Sequence, residues 1–165
     1  MTVSVNPKRI RVLLVDDRQL LTDALAHVLG DEPDIDVVGV ACSVGATKRL
    51  ARRVDVALVD YRLPDGTGAD AARAIRARHP AARVVMLTEV SDDVAIRASI
   101  RAGTDAFVTE HDPFRDVVSA VRSVHAGTAV ARRTIASDRG ARSHRRMRAR
   151  DDVATDGLTP REAEV

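Results

Sequence analysis

Three aspartates carry the chemistry that this sequence can do. Asp16 and Asp17 follow directly on the apolar run Val12–Val15, and Asp60 follows directly on Val56–Val59. Carboxylates gathered in one place repel one another, so a fold that keeps them together must supply compensation. A hard divalent cation such as Mg²⁺ suits that role, held by one or two carboxylates, waters and phosphate oxygens. The plainer reading is that Asp16 and Asp17 cap the helix that follows them. Arrival of a third acid from a distant strand end favours a shared acidic pocket.

The elements needed to build such a pocket are legible. Arg9–Val15 is a short β-branched run suited to a fully buried strand. From Arg18 to Leu29, Leu20, Leu21, Ala24, Leu25, Val28 and Leu29 recur at helical spacing, and Gly30 is placed to close the helix. Ile35–Ala41 reads as a second strand. Ser43–Arg53 reads as a helix capped by Ser43, and Val54–Val59 as the third strand. A loop with Pro64, Gly66 and Gly68 leads into a helix over Ala69–Arg78, ended by Pro80. Arg83–Leu87 is a fourth strand, Asp92–Ala102 a helix stopped by Gly103, and Ala106–Thr109 a fifth strand. Pro113–His125 is the last helix, with Asp112 as cap and Pro113 at its first position.

Five strand–helix units in succession call for a parallel sheet with helices on both faces. The expected fold is α/β, a flavodoxin-like (βα)5 doubly wound sheet of strand order 2-1-3-4-5. In that order the first and third strands are neighbours and the chain reverses direction between them. Ligands bind beyond the carboxyl ends of the strands at such a switch point. The topology therefore brings Asp16, Asp17 and Asp60 to one crevice.

Composition narrows the function classes. Of 165 residues, 45% are hydrophobic and only 2% aromatic, so the core must be Val, Leu, Ile and Ala. No apolar run approaches the ~18 residues of a membrane span, and no signal-peptide pattern opens the chain, so a cytoplasmic location is expected. Cys42 stands alone, which excludes a disulfide framework and a cysteine zinc site; it reads as a small buried residue at a strand end. His27, His79, His111, His125 and His144 show no metal-ligand spacing, and only His111 falls near the pocket.

Charge is uneven. Net charge is +2, yet Arg132–Arg150 holds eight arginines and one acid, Asp138. Apolar periodicity collapses after Gly127. The expected organisation is a domain over 9–126, a basic flexible linker over 127–157, and a new element at 158–165. Thr159-Pro160-Arg161-Glu162 is a helix-start signal, with Thr159 as cap and Glu162 in the capping-box place. A helix beginning so near the end implies a longer parent protein. The basic segment could equally touch DNA phosphates or remain a solvated linker.

RVLLVDD, VALVDYRLPDG, VVMLT and AGTDAFV resemble the receiver domain of two-component response regulators, over about residues 9–126. The closing LTPREAEV resembles the start of the helix-turn-helix domain of the NarL/LuxR group. The resemblance implies a transcription regulator in which Asp60 accepts a phosphoryl group from a histidine kinase. It implies that Mg²⁺ is held by Asp16, Asp17, Asp60 and the backbone carbonyl of Arg62. It makes Thr88 and Phe107 the switch residues. It implies a regulatory protein and not an enzyme, a homodimer through the last helix together with the first or the fourth, the sequence not choosing between these faces, and DNA contact through a C-terminal domain beyond these residues.

Two positions depart from that pattern. The family places a lysine at the end of the fifth strand to neutralise the phosphoryl group. Here Glu110 stands there, and Lys8 and Lys48 are the only lysines in the chain. The residue after Thr88, normally small, is Glu89. Three acids, one Mg²⁺ and a lysine cancel in the family pocket; four acids and one Mg²⁺ leave two negative charges here. A unit-charge contact at 4 Å is worth about 1 kcal/mol in water and about 4 kcal/mol at an effective dielectric of 20. The expectation is an atypical receiver, weakly phosphorylated or not at all, with Mg²⁺ binding weakened, and controlled by dimerisation or a small-molecule ligand. The alternative is a conventional phospho-activated receiver in which Arg62 or another arginine supplies the missing charge.

One rival concerns cofactors. Gly66-Thr67-Gly68-Ala69-Asp70-Ala71 matches G-x-G-x-x-A, the dinucleotide fingerprint, and Glu89 lies where a ribose-binding acid belongs. Against it, Asp60–Asp65 intervene between strand and first glycine. An aspartyl-nucleophile phosphatase is a further rival, disfavoured because Arg62 stands where its second acid belongs.

Overall fold

A computed structural model describes residues 9–50, 52–88, 93–109 and 111–128, with only the backbone of Asp93. The elements run β1 (Ile10–Val15), α1 (Gln19–Gly30), β2 (Ile35–Ala41), α2 (Val44–Thr47), β3 (Val56–Asp60), β4 (Arg62–Leu63), β5 (Gly66–Thr67), α3 (Gly68–Arg78), β6 (Arg83–Thr88), α4 (Asp93–Arg101), β7 (Ala106–Thr109) and α5 (Phe114–His125). The five long strands form one sheet of order β2-β1-β3-β6-β7. Every pairing in it is parallel. The doubly wound α/β fold and its strand order are as the sequence predicts.

The core lies on both faces of the sheet because successive strand residues point to opposite sides. Val12, Leu14, Leu58, Val85 and Val108 pack with Leu25 and Leu29 of α1 and Val117, Val121 and Val124 of α5. The valine stripe of α5 is thus consumed by the sheet. On the other face α3 and its neighbours α2 and α4 cover the strands. There Ala69, Ala72, Ile75, Val59 and Met86 are buried. Small alanines let α3 approach closely, which is how a core almost without aromatics reaches density.

Several local expectations are corrected. The helix predicted over Ser43–Arg53 is only four residues long, although Ser43 does cap it by accepting from Ala46 N. Beyond Thr47 the sequence Lys48–Arg53 offers little apolar surface to bury, and a helix of this length does not sustain itself. Gly30 is the last residue of α1, and the cap is Asp31 in right-handed helical conformation. Asp112 does not cap α5; its carboxylate accepts from Thr109 N at 2.7 Å, and Pro113 holds the N-cap position. Cys42 is exposed, not buried. The loop before α3 contains the β4–β5 ladder, in which Arg62 pairs with Thr67. Gly103 does end α4, in left-handed conformation at φ +87. The basic linker and the closing helix start lie outside the described residues. No helix among the described residues is long and apolar enough to cross a membrane.

Candidate functional site

The sheet register assembles the site. Val15 of β1 is the lateral partner of Val59 of β3, so Asp16 and Asp60 leave neighbouring strands at the same level. Asp16 N still bonds to Ala41 O at 3.0 Å, which extends the β1–β2 edge through the aspartate. Asp16 and Asp60 are buried, whereas Asp17 is exposed. One ligand oxygen from each of Asp16, Asp17 and Asp60 lies within 4.8 Å of the others. Mg²⁺–oxygen distances of about 2.0–2.1 Å place octahedral ligands about 3–4 Å apart, so the trio fits such an ion after a small closure. An open cavity of about 330 Å³ adjoins them, lined by Asp17, Arg18, Asp60, Arg62, Leu63 and Pro64.

Electrostatics single out Asp60. Burial is the main reason that its carboxyl is pushed up to about 6, and the neighbouring charge of Asp16 adds to the effect. Arg18 and the backbone N–H groups of Arg62 and Tyr61 act in the opposite direction, favouring the carboxylate. A group balanced this way loses its proton near neutral pH and gains most from any cation that arrives.

Arg18 is the residue that sequence reasoning missed. Its backbone N–H donates to Asp16 Oδ1 at 2.8 Å, closing a tight turn. Its guanidinium folds back on the same carboxylate, Nε to Oδ1 at 3.1 Å and Nη2 to Oδ2 at 3.0 Å. Nη2 also lies 3.7 Å from Asp60 Oδ2. The sequence reading made Arg18 the start of a helix and left its charge out of the pocket. A basic residue two places after Asp16 is the signal that was available.

The loop after Asp60 is held from below. Gly68 N donates to Tyr61 O at 2.7 Å. Thr67 and Asp70 form a capping box at the start of α3. Asp70 Oδ2 accepts from both Thr67 N and Thr67 Oγ1, so the helix N-terminus is filled by its own side chain. In this setting Gly66 and Gly68 serve turn and packing geometry, which removes the support for the dinucleotide reading. Asp65 reaches outward and accepts from Val44 N at 2.7 Å and Gly45 N at 2.8 Å, tying the loop to α2.

Thr88 is buried at the end of β6, one residue beyond Leu87, the lateral partner of Asp60. Phe107 is buried in β7 beside Met86 of β6. Arg62 is exposed at the cavity wall. Glu89 and Glu110 lie outside the described residues.

Comparison with known proteins agrees with this geometry. The response regulator receiver domain family matches residues 12–122. The DNA-binding transcriptional activator DevR/DosR of Mycobacterium tuberculosis is 39% identical over 120 residues, covering 72% of this chain and 55% of that protein. The response regulator UvrY of Escherichia coli O6:H1 is 36% identical over 131 residues, covering 78% and 58%. The chain therefore spans little more than half the length of these relatives. A crystal structure of a LuxR-family two-component response regulator from Aurantimonas superposes with a TM-score of 0.71 at 27% identity, covering 79% of this chain and 94% of that one. With sheet order, acidic trio and sequence in agreement, the chain belongs to the response regulator receiver domain family, among the NarL/LuxR-type regulators.

Proposed function

We propose that this chain is the regulatory receiver of a DNA-binding transcription regulator, with Asp60 as a phosphoacceptor whose modification is weakened. The observation that carries this reading is the meeting of Asp16, Asp17 and Asp60 at the switch point, with Asp60 buried and its carboxyl raised. Asp60 offers the attacking oxygen to a phosphoryl donor entering the cavity. Asp16, Asp17, Asp60 and the Arg62 carbonyl would hold Mg²⁺, which would supply positive charge to the oxygens of a transferring phosphoryl group. Phosphoryl transfer rests mainly on positioning and electrostatic stabilisation. Backbone N–H groups of Tyr61 and Arg62 keep the Asp60 carboxylate oriented. Thr88 and Phe107 read the modified state and pass it to the β6–β7 edge.

Weakening follows from the sequence. Glu110 replaces the expected lysine, Glu89 replaces a small residue, and the chain's two lysines are Lys8 and Lys48. Of these, Lys48 acts on Asp65. Control then passes to dimerisation or a small ligand. Output is DNA binding through a C-terminal helix-turn-helix domain; the DevR/DosR relative is itself named a DNA-binding transcriptional activator.

Arg18 favours the second reading, a conventional phospho-activated receiver, because it already brings one positive charge to Asp60. Incubation with Mg²⁺ and a small-molecule phosphodonor, followed by intact-mass measurement, separates the two. Slow, substoichiometric, Mg²⁺-dependent addition that disappears in Asp60→Asn is expected. Rapid stoichiometric addition establishes the conventional reading. Addition that persists in Asp60→Asn removes Asp60 from the role.

A further inference from the structure

The Asp16 carboxylate is almost wholly enclosed, and Arg18 donates three hydrogen bonds to it. A carboxylate has about four lone-pair sites, and Arg18 takes three of those on Asp16, through its backbone N–H, Nε and Nη2. The same Nη2 faces Asp60 Oδ2 at 3.7 Å. A planar guanidinium is therefore seated between two of the three carboxylates that would bind a cation. Its seat is open to water on one side: the Arg18 side chain is 40% exposed while that of Asp16 is 1% exposed. Swinging outward returns the guanidinium to water and leaves the aspartates in place. The backbone N–H bond to Asp16 Oδ1 survives that movement, because it belongs to the turn.

We propose that Arg18 is a tethered counter-cation occupying the metal position of this pocket, so that a divalent cation binds by displacing the guanidinium from Asp16 and Asp60. This deepens the phosphoacceptor reading and rests on it. A single positive charge on a flexible stem offsets part of the trio's negative charge in the resting protein, and a divalent ion that replaces it brings twice the charge. The exchange frees Asp16 oxygens for metal or metal-bound water. It also sets a threshold, because metal sees only the fraction of molecules in which Arg18 has left.

The test is calorimetric titration of Mg²⁺ into the full chain and into Arg18→Ala and Arg18→Gln. Gln retains length and a hydrogen-bond donor without charge, so the pair distinguishes loss of the cation from local collapse. Tyr61, the only tyrosine in a chain without tryptophan, adjoins Asp60 and provides a fluorescence readout on the same samples. A guanidinium seated in about nine molecules of ten reduces apparent metal affinity about tenfold, so both variants are expected to bind Mg²⁺ about tenfold more tightly than the parent. Equal affinity in all three proteins overturns the proposal and leaves the acidic trio as a metal site. Weaker binding by both variants also overturns it, and makes Arg18 a positioning residue for Asp16. Absence of Mg²⁺ binding in all three overturns both this proposal and the phosphoacceptor reading.

Discussion

Gly68 lies so close to Asp60 that a Cβ built on the glycine would stand 2.6 Å from the Asp60 carbonyl oxygen. Met86 Sδ, also at 2.6 Å, and Tyr61 Cα at 2.9 Å close the other sides of that position. Two of these three neighbours are backbone atoms of Asp60 and Tyr61, so an added methyl cannot be accommodated by a rotamer change alone. Gly68→Ala is expected to destabilise the fold by about 1–3 kcal/mol, the usual range for overpacking. Urea denaturation measures this. The same displacement should lower phosphodonor labelling of Asp60; unchanged stability and labelling would show that the turn is softer than its packing implies.

Asp60 links the pocket to stability through pH. Its carboxyl is raised from 3.8 to about 6, chiefly by burial. Between those values the native state holds more protons than the unfolded chain, so stability falls as pH rises through the window. Asp60→Asn removes the penalty. In metal-free buffer the variant should melt above the parent at pH 7–8, and the gap should shrink as pH falls from 6 toward 4. A gap that stays constant across pH would remove burial of the charge as its cause.

Asp105 ties together three elements. Its Oδ2 accepts from Val84 N at 2.8 Å and from Arg76 Nη2 at 2.7 Å, and its Oδ1 accepts from Arg83 Nη1 at 3.0 Å. Val84 is fully buried, so its N–H has no water to turn to. Asp105→Ala should cost about 1–3 kcal/mol, the penalty for leaving a buried donor unsatisfied. Asp105→Asn retains an acceptor and should cost less. Guanidinium chloride denaturation of the two variants provides the comparison.

Glu110→Lys tests the charge argument directly. Replacing repulsion by attraction near the phosphoryl group should raise the yield or rate of Asp60 labelling about tenfold or more, given contacts of about 1–4 kcal/mol each at 4 Å. Labelling kinetics by intact mass decide it. An unchanged rate would mean that Glu110 does not face the pocket.

Much of the fold was legible because strands and helices announce themselves by period. Runs such as Val12–Val15 and Val56–Val59 are apolar on both sides because both sheet faces are covered. Alternation of strand and helix then leaves few topologies, and the strand order alone places Asp16 and Asp60 together. Segments without such a period were less legible. The Ser43–Arg53 helix was overextended because a capping serine signals a start but says nothing of length. Asp112 was misjudged because its partner, Thr109 N, comes from the preceding strand end, not from the helix.

By itself the sequence determined the doubly wound sheet, the acidic trio and the restriction of lysine to Lys8 and Lys48, since each depends on residue type, local spacing or simple count. Tertiary structure alone decided which cation reaches the trio. Among the described residues, Arg18 folds back onto Asp16 and toward Asp60, because a turn stabilised by its own backbone N–H sets its side chain between two neighbouring strand ends. It likewise decided what Gly68 is for. Its glycine pattern suggests a phosphate-binding loop, but the approach of α3 to β3 leaves no room for a Cβ, a constraint that exists only once helix and strand are packed.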